Sequence, residues 1–513
     1  MTVAEATPEH LDEAVDRNDK AFLGHPKGLG YLAFVEGCER FSYYSMQTLL
    51  VLYMVNYLLP ERFDAVAGLG WLQANRYGGA EGQVLASSIF GEYTSLVYLT
   101  PILGGLLADK LLGRRVALIA GGLVMSLGHF LMAFEGTFLL ALLTLIVGVG
   151  LFKGNIASQV GELYKEGDLR RAMAFQIFYI AINVSVIVAP LISGTLGEDV
   201  GWHYGFGTAG VVMVAGLLLY LKAGPWLPAD NRPGATRPSV GTAVFQVLLA
   251  IAAIAAFAIA IPLIFTLGTL AWVIVAAIVL GGLAYLLNGL NSTDRLRVLA
   301  VILLVPVMAV ALLTNQEIFN AYLVWADEHF QLTFFGRTLP TSWMITIDAA
   351  LSFAMLVAVA WFWKWRAGRT GREPDELGKM IIGSFFTIAG GLCLVAAAAL
   401  GGSGKIGLFW PVMFHLLNSI GFSHILPVSL ALFTRLAPRQ INATVIGIYY
   451  LAFFLANQIV GHVGGWYSTM DTAQFWLFHV ATAVVGLIAF VLFKMFLAKR
   501  LMGDGRTEDA ALA

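Results

Sequence analysis

The sequence predicts an all-α polytopic membrane protein with fourteen transmembrane helices. Of 513 residues, 58% are hydrophobic and 12% charged, where a soluble domain carries about 45–50% apolar and about 25% charged residues. Apolar stretches of roughly 20 residues recur along the chain, each long enough to cross about 30 Å of hydrocarbon as a helix that satisfies its own backbone hydrogen bonds. Lysine and arginine gather at alternate ends of those stretches, as they do where one side of a bilayer holds the positive loops.

The elements follow in order. The first 28 residues carry Glu5, Glu9, Asp12, Glu13, Asp16 and Asp19, the opposite of the cationic start of a secretory signal, and 1–28 reads as a short cytoplasmic arm. The expected spans are 29–57, 82–109, 114–134, 138–161, 172–196, 206–226, 239–264, 267–290, 298–326, 342–366, 378–400, 406–434, 442–466 and 473–498. Stretches such as 244–264 do not alternate between apolar and polar residues, as the strands of a membrane barrel would. One set of span ends holds Lys110, Arg114, Arg115, Lys165, Arg170, Arg171, Lys222, Arg232, Arg237, Arg295, Arg297, Lys364, Arg366, Arg369, Arg372, Lys379, Arg435, Arg439, Lys494, Lys499, Arg500 and Arg506. The other set holds only Arg62, Arg76, Arg337 and Lys405. This asymmetry places both termini in the cytoplasm and requires an even number of crossings. The location is the cell membrane, the inner one in a Gram-negative cell.

Residues 239–290 contain no ionisable side chain apart from Tyr285, and the two spans there read as lipid-facing filler. Setting them aside leaves an N-terminal six-helix bundle (29–226), a linker with two inserted helices (227–296), a C-terminal six-helix bundle (297–500) and a cytoplasmic tail (501–513). Two six-helix halves are the arrangement of the major facilitator fold. Other classes recede. The 31 Lys+Arg against 32 Asp+Glu leave a net charge of -1 and no basic run for nucleic acid. Cys38 and Cys393 lie in apolar stretches and read as small hydrophobes, not as a disulfide or a metal site.

An ionisable side chain inside an apolar helix costs several kcal/mol unless paired or wetted, so each one is a functional candidate. Arg40 and Lys153 are the two basic ones. In E-G-C-E-R-F-S-Y-Y, Glu36, Glu39 and Arg40 fall within about one turn, and Glu36, Arg40, Tyr43 and Gln47 continue along one helical face. Two readings are open for this stripe: a neutralised pair that packs helices together, or a titrating site, since clustered carboxylates beside one arginine can hold or release a proton as its partner changes. Lys153 either joins such a site or snorkels to an interface.

The first of these motifs resembles the ExxERFxYY signature of the proton-coupled oligopeptide transporters, the POT or PTR family. Two further stretches are similar to that family's elements: V-Y-L-T-P-I-L-G-G-L-L-A-D-K-L-L-G-R-R (97–115) to its loop between helices two and three, and F-Q-I-F-Y-I-A-I-N (175–183) to its FYxxIN element. The resemblance covers nearly the whole chain, including the extra helix pair of bacterial members. It implies that Glu36, Glu39, Arg40, Lys153 and Glu317 serve proton coupling, with Arg40 and Lys153 near the substrate carboxylate. It also implies that Tyr44, Tyr98 and Tyr449 line a peptide pocket and that Asn183 contacts the peptide backbone. In the loop, Asp109, Arg114 and Arg115 are either a conformational latch or simple topogenic charge, and Gly104 and Gly105 permit close helix approach.

Departures from the family pattern cluster in the second half. Gln47 stands where an arginine is usual, so one carboxylate anchor is missing. On helix seven, N-Q-E-I-F-N leaves Glu317 as the available carboxylate, flanked by Gln316 and Asn320. Phe422 stands where a glutamate often receives the peptide's amino group, with His424 two residues on. Asp348, isolated in an apolar span where an asparagine is common, is an alternative to Glu317 for that ammonium. The resemblance therefore implies proton-driven import of di- and tripeptides by alternating access of a monomer, with protons as the coupling ion and no cofactor or metal. Transport of another small solute (nitrate, amino acid or drug) stays open because of Gln47 and Phe422. An intramembrane enzyme is the remote alternative: no HxxxH or HExxH pair is present, and no second histidine is expected to accompany His424.

Overall fold

Long apolar stretches without period-two alternation dictate helices, and helices dominate the computed structural model, which describes residues 19–165, 168–228, 239–402, 404–438 and 442–498. The acidic residues Glu5 to Asp16 of the arm, Arg232 and Arg237 of the linker, Arg439, Lys499, Arg500, Arg506 and the 501–513 tail lie outside the described residues. The spanning elements are α1 (Lys27–Tyr53), α2 (Gly82–Leu107), α3 (Arg114–Leu131), α4 (Phe138–Glu162), α5 (Arg170–Ala189), α6 (Trp202–Lys222), α7 (Val240–Thr266) and α8 (Thr269–Leu287). They continue with α9 (Ser292–Ala311), α10 (Leu313–Glu317), α11 (Ala321–His329), α12 (Trp343–Thr370), α13 (Glu376–Gly401), α14 (Phe409–Leu436), α15 (Asn442–Val463) and α16 (Thr472–Phe493).

Among the described residues, 12 helices are long and apolar enough to cross a membrane. Two further spans complete the expected fourteen, and both are the polar ones. α1 is diluted by Glu36, Glu39 and Arg40. The other is one span broken into α9, α10 and α11, with Pro306 inside α9 and Asn320 at φ -122°, ψ -110° before α11. A break inside a membrane must find partners for the amides it frees. Here Glu317 Oε1 accepts from the Ala321 N–H at 3.2 Å and from Asn320 Nδ2 at 3.2 Å.

The chain groups into two compact units. The first comprises 1–49, 62–69 and 99–261. Its centre is the α3–α4 crossing, where Gly121 and Gly148 let the backbones meet. Nearby, Thr100 Oγ1 donates to the Ile146 carbonyl at 3.2 Å, tying α2 to α4. The inserted helix α7 is not wholly lipid-facing: Ala250, Ile254 and Ala258 form a buried stripe at four-residue spacing, and the first two join a core with Ala117 and Leu151. On α8 the filler reading fits better, because Ala271 is its one buried hydrophobic residue among those described.

The second unit comprises 50–61, 70–98 and 262–513, so the end of α1 and the beginning of α2 pack within it. Gly91 of α2 lies against Gly461 of α15, and Ser87 donates to Asn320 Oδ1 at 3.0 Å. A core of α9, α13, α14, α15 and α16 residues, including Met308, Met380, Phe433, Tyr449 and Phe490, fills the unit. After α11, strands β1 (Thr333–Phe334) and β2 (Arg337–Thr338) pair antiparallel across a turn in which Phe335 and Gly336 both have positive φ, the tight hairpin geometry.

The α13–α14 contact rests on the absence of side chains: a Cβ at Gly383 would stand 2.7 Å from His424 Cβ and 2.8 Å from the Gly421 carbonyl. Gly383→Val should therefore push the two helices apart at a cost of about 1–3 kcal/mol, read as a lower melting temperature of the purified protein. An unchanged melting temperature would mean that the crossing is looser than described.

Candidate functional site

Helical spacing alone brings the first cluster together. Glu36 and Arg40 are one turn apart on α1 and Glu39 precedes the arginine, so a single guanidinium serves both acids: Arg40 Nε lies 2.8 Å from Glu36 Oε1 and 2.7 Å from Glu39 Oε2. All three are buried, Glu39 completely. Lys153 of α4 faces the same place, with Nζ 5.6 Å from the centroid of the Tyr43 ring, while Arg40 Cζ lies 5.7 Å from that ring. Tyr43 is thus the shared aromatic neighbour of both cations. The charges of Glu39, Glu36 and Arg40 all act on the lysine. Two carboxylates and two cations sum to zero, the condition under which charges survive in a dry interior. Glu36 Oε2 and Glu39 Oε1 are buried without a hydrogen-bond donor among the described residues.

The remaining candidates divide by surroundings. In the first unit, Tyr44 is half-buried edge-on to Tyr43, Gln47 is buried one turn beyond Tyr43, and Asn183 donates to the Tyr179 carbonyl of its own helix. The loop charges form a tie within this unit. Arg114 pairs with Asp109 and with Glu162, and Arg115 donates to the carbonyls of Gly224, Leu227 and Pro228. Glu162, absent from the sequence reading, ends an apolar helix and has no local motif to mark it.

In the second unit, Glu317 and Asn320 are fully buried and bonded to the broken span itself, to Ser87 and to the Val460 carbonyl. His479 Nε2 stands 3.9 Å from Glu317 Oε2, and neither of its ring nitrogens has a hydrogen-bond partner among the described residues. Tyr98 stacks on Phe453 at 4.9 Å, and Tyr449 meets the same ring at 5.7 Å. Tyr449 also reaches Ser429 Oγ at 3.2 Å. His424 accepts from Trp363 Nε1 at 3.0 Å and donates from Nδ1 to the Ile420 carbonyl, a satisfied core histidine.

Nine residues before His424 on α14, His415 is fully buried, its Nδ1 2.8 Å from Asp348 Oδ1 and its Nε2 2.7 Å from the Tyr322 hydroxyl. The sequence marks His424 alone among the histidines of the apolar spans; His415 and His479, in spans of the same kind, become candidates only through the contacts they make. Among the described residues no group of three His, Cys, Asp or Glu side chains is arranged to hold a metal.

Membrane-crossing helices with two acids and two cations gathered where α1 meets α4 are the features of a polytopic membrane transporter. Comparison with known proteins narrows the class: the POT family profile matches residues 115–477, and the chain belongs to that family. It is 31% identical over 96% of its length to the peptide transporter YePEPT of Yersinia enterocolitica, covering 98% of that protein. It is also 31% identical to the uncharacterized transporter YclF of Bacillus subtilis, over 92% of this chain and 93% of that one. A di-/tripeptide transporter of Lactococcus lactis is 29% identical, covering 96% and 99%. Among solved structures, peptide transporter POT in complex with sulfate superposes with a TM-score of 0.79 at 26% identity, covering 96% of this chain and 98% of that one. A mutant of POT in complex with alafosfalin gives 0.75 at 27% identity over 94% and 98%.

Because Arg40 balances two buried acids, Arg40→Met should cost about 3–5 kcal/mol at neutral pH, the cost of an uncompensated buried charge. Adding Glu39→Gln to Arg40→Met should recover part of that loss, since it removes one of the stranded charges. Thermal unfolding of the single and double variants measures both terms; strictly additive losses would dissolve the cluster as a unit.

Proposed function

We propose that the protein imports di- and tripeptides by symport with protons, with both termini in the cytoplasm of the cell membrane. Alternating access of the 29–226 and 297–500 bundles, joined by the 227–296 insertion, carries the cycle in a monomer. The observation that carries the reading is the placement of Arg40 between Glu36 and Glu39 with Lys153 beside them. A proton taken up by either glutamate weakens its hold on the cations and frees Arg40 or Lys153 for the peptide carboxylate. Two ligands are then coupled through one exchange of partners. The substrates named for the Yersinia and Lactococcus relatives support peptides as the cargo.

At the other terminus of the peptide, the second unit offers Asp348 and Glu317. Of the two, Asp348 is the better acceptor for an ammonium, because 12% of its side chain is exposed, whereas Glu317 is sealed at 0% and already occupied with the broken span. Tyr44, Gln47, Tyr98, Asn183, Asn320, His424 and Tyr449 serve the pocket as lining or support. The tie of Asp109, Arg114 and Arg115 holds the loop end of the first bundle and biases the conformational equilibrium.

In proteoliposomes, dipeptide uptake should rise with an inward proton gradient and collapse with a protonophore; uptake indifferent to the gradient would refute coupling. Glu36→Gln should abolish gradient-driven uptake while sparing counterflow exchange, and an unchanged driven rate would remove Glu36 from the mechanism. Free amino acids should compete far more weakly than dipeptides, and equal competition would point to an amino-acid carrier instead.

A further inference from the structure

The second unit holds a chain of three titratable groups that the motifs do not account for. Asp348 sits five residues into α12, His415 six residues into α14 and Tyr322 at the start of α11 just after the break. Asp348 and His415 therefore lie roughly 8–9 Å from the ends of their helices at about 1.5 Å per residue. Those ends lead to the loops at 330–342 and 402–408, away from the arginine-rich ends of α12 and α14.

The hydrogen bonds fix what the chain can do. An ionised carboxylate only accepts, so His415 Nδ1–H donates to Asp348. His415 Nε2 then has two permitted states: as a bare nitrogen it accepts from the Tyr322 hydroxyl, and as N–H it donates to the phenol oxygen. The same heavy-atom positions, 2.8 Å and 2.7 Å apart, thus hold either no extra proton or one without losing a contact. Access is one-ended, since the His415 side chain is 0% exposed and that of Asp348 12%. Tyr322 is caged by Trp325, Phe330, Phe414 and Trp476.

Without the extra proton the chain carries one negative charge, and among the described residues no lysine or arginine is paired with Asp348. A lone charge in an apolar span is costly, so a proton or another cation must neutralise it. The other titratable groups on the packed helices lie elsewhere. Glu317 faces His479, which Trp476 separates from Tyr322, and His424 is bonded to Trp363. Asp327, Glu328 and His329 lie at the far end of α11, Lys364 lies toward the basic end of α12, Glu376 (paired with Arg435) and Lys379 lie in the first turn of α13, and Cys393 stands further along α13. On α15, Tyr449 is engaged with Ser429 and His462 faces Trp466.

We propose that Asp348, His415 and Tyr322 form a second proton-binding site, separate from the Glu36–Glu39–Arg40 cluster, in which the bound proton and the substrate ammonium exclude one another at Asp348. The exclusion rests on the peptide-transport reading; the proton site itself does not. Proton balance is simple: arrival of an ammonium at the carboxylate sends the relay's proton back out to water, one for one.

Two measurements on the full-length purified protein test the two parts. Without substrate, infrared difference spectra between acidic and alkaline buffer should show a carboxyl and an imidazole band that titrate together. Both should vanish in Asp348→Asn and in His415→Gln, and their midpoint should move in Tyr322→Phe, the variant least apt to disturb folding. Bands unchanged in Asp348→Asn, or a midpoint unmoved in Tyr322→Phe, would overturn the site. With dialanine added in weak buffer containing a pH indicator, the wild-type protein should release a proton on binding. His415→Gln, which leaves the Asp348 carboxylate in place for the ammonium, should lose that release while dialanine still raises its melting temperature, and release retained in His415→Gln would overturn the exclusion. If dialanine leaves the melting temperature of the wild-type protein unchanged, peptide binding itself fails, and the infrared result still decides the relay.

Discussion

The constraint on which the structure turns is the cost of charge in hydrocarbon. Membrane-crossing helices have room for few ionisable groups, and each must be paired locally or wetted. The first unit meets this with Glu36, Glu39, Arg40 and Lys153, four charges summing to zero around Tyr43. Such a set is stable only as a whole, since removing one member leaves an opposite charge buried without compensation.

The second unit solves the problem with neutralisable pairs in place of fixed cations. Asp348 leans on His415 and Tyr322, and Glu317 on backbone amide, Asn320 and His479. Histidine can hold or lack a charge, whereas arginine always carries one. The first unit thus sets Arg40 and Lys153 against two acids, and the second sets its buried acids beside histidine, tyrosine and amide partners.

The helices were legible because hydropathy periodicity is a local property: span order and approximate limits could be read directly from runs such as 244–264. The α1 cluster was legible for the same reason, since Glu36, Glu39 and Arg40 lie within one turn of a single helix. What escaped depended on contacts between distant segments. His415 meets Asp348 across 67 residues and Tyr322 across 93, and nothing in either local sequence announces the other. The break in the seventh core span was hidden too, because Glu317 reads as a lone acid until the orphan amide of Ala321 is seen beside it. Tyr43 was placed on the correct face, yet its role between two cations required the position of α4.

The inserted pair α7–α8 carries a consequence of its own. A helix held by a single stripe of alanine and isoleucine, followed by one that buries a lone alanine, contributes little to the cohesion of the molecule. A segment that leaves the bilayer on the side it entered preserves the sidedness of everything downstream. An appendage with those two properties can be gained or shed as a cassette without inverting the second bundle, which leaves its sequence free to follow the demands of the surrounding lipid.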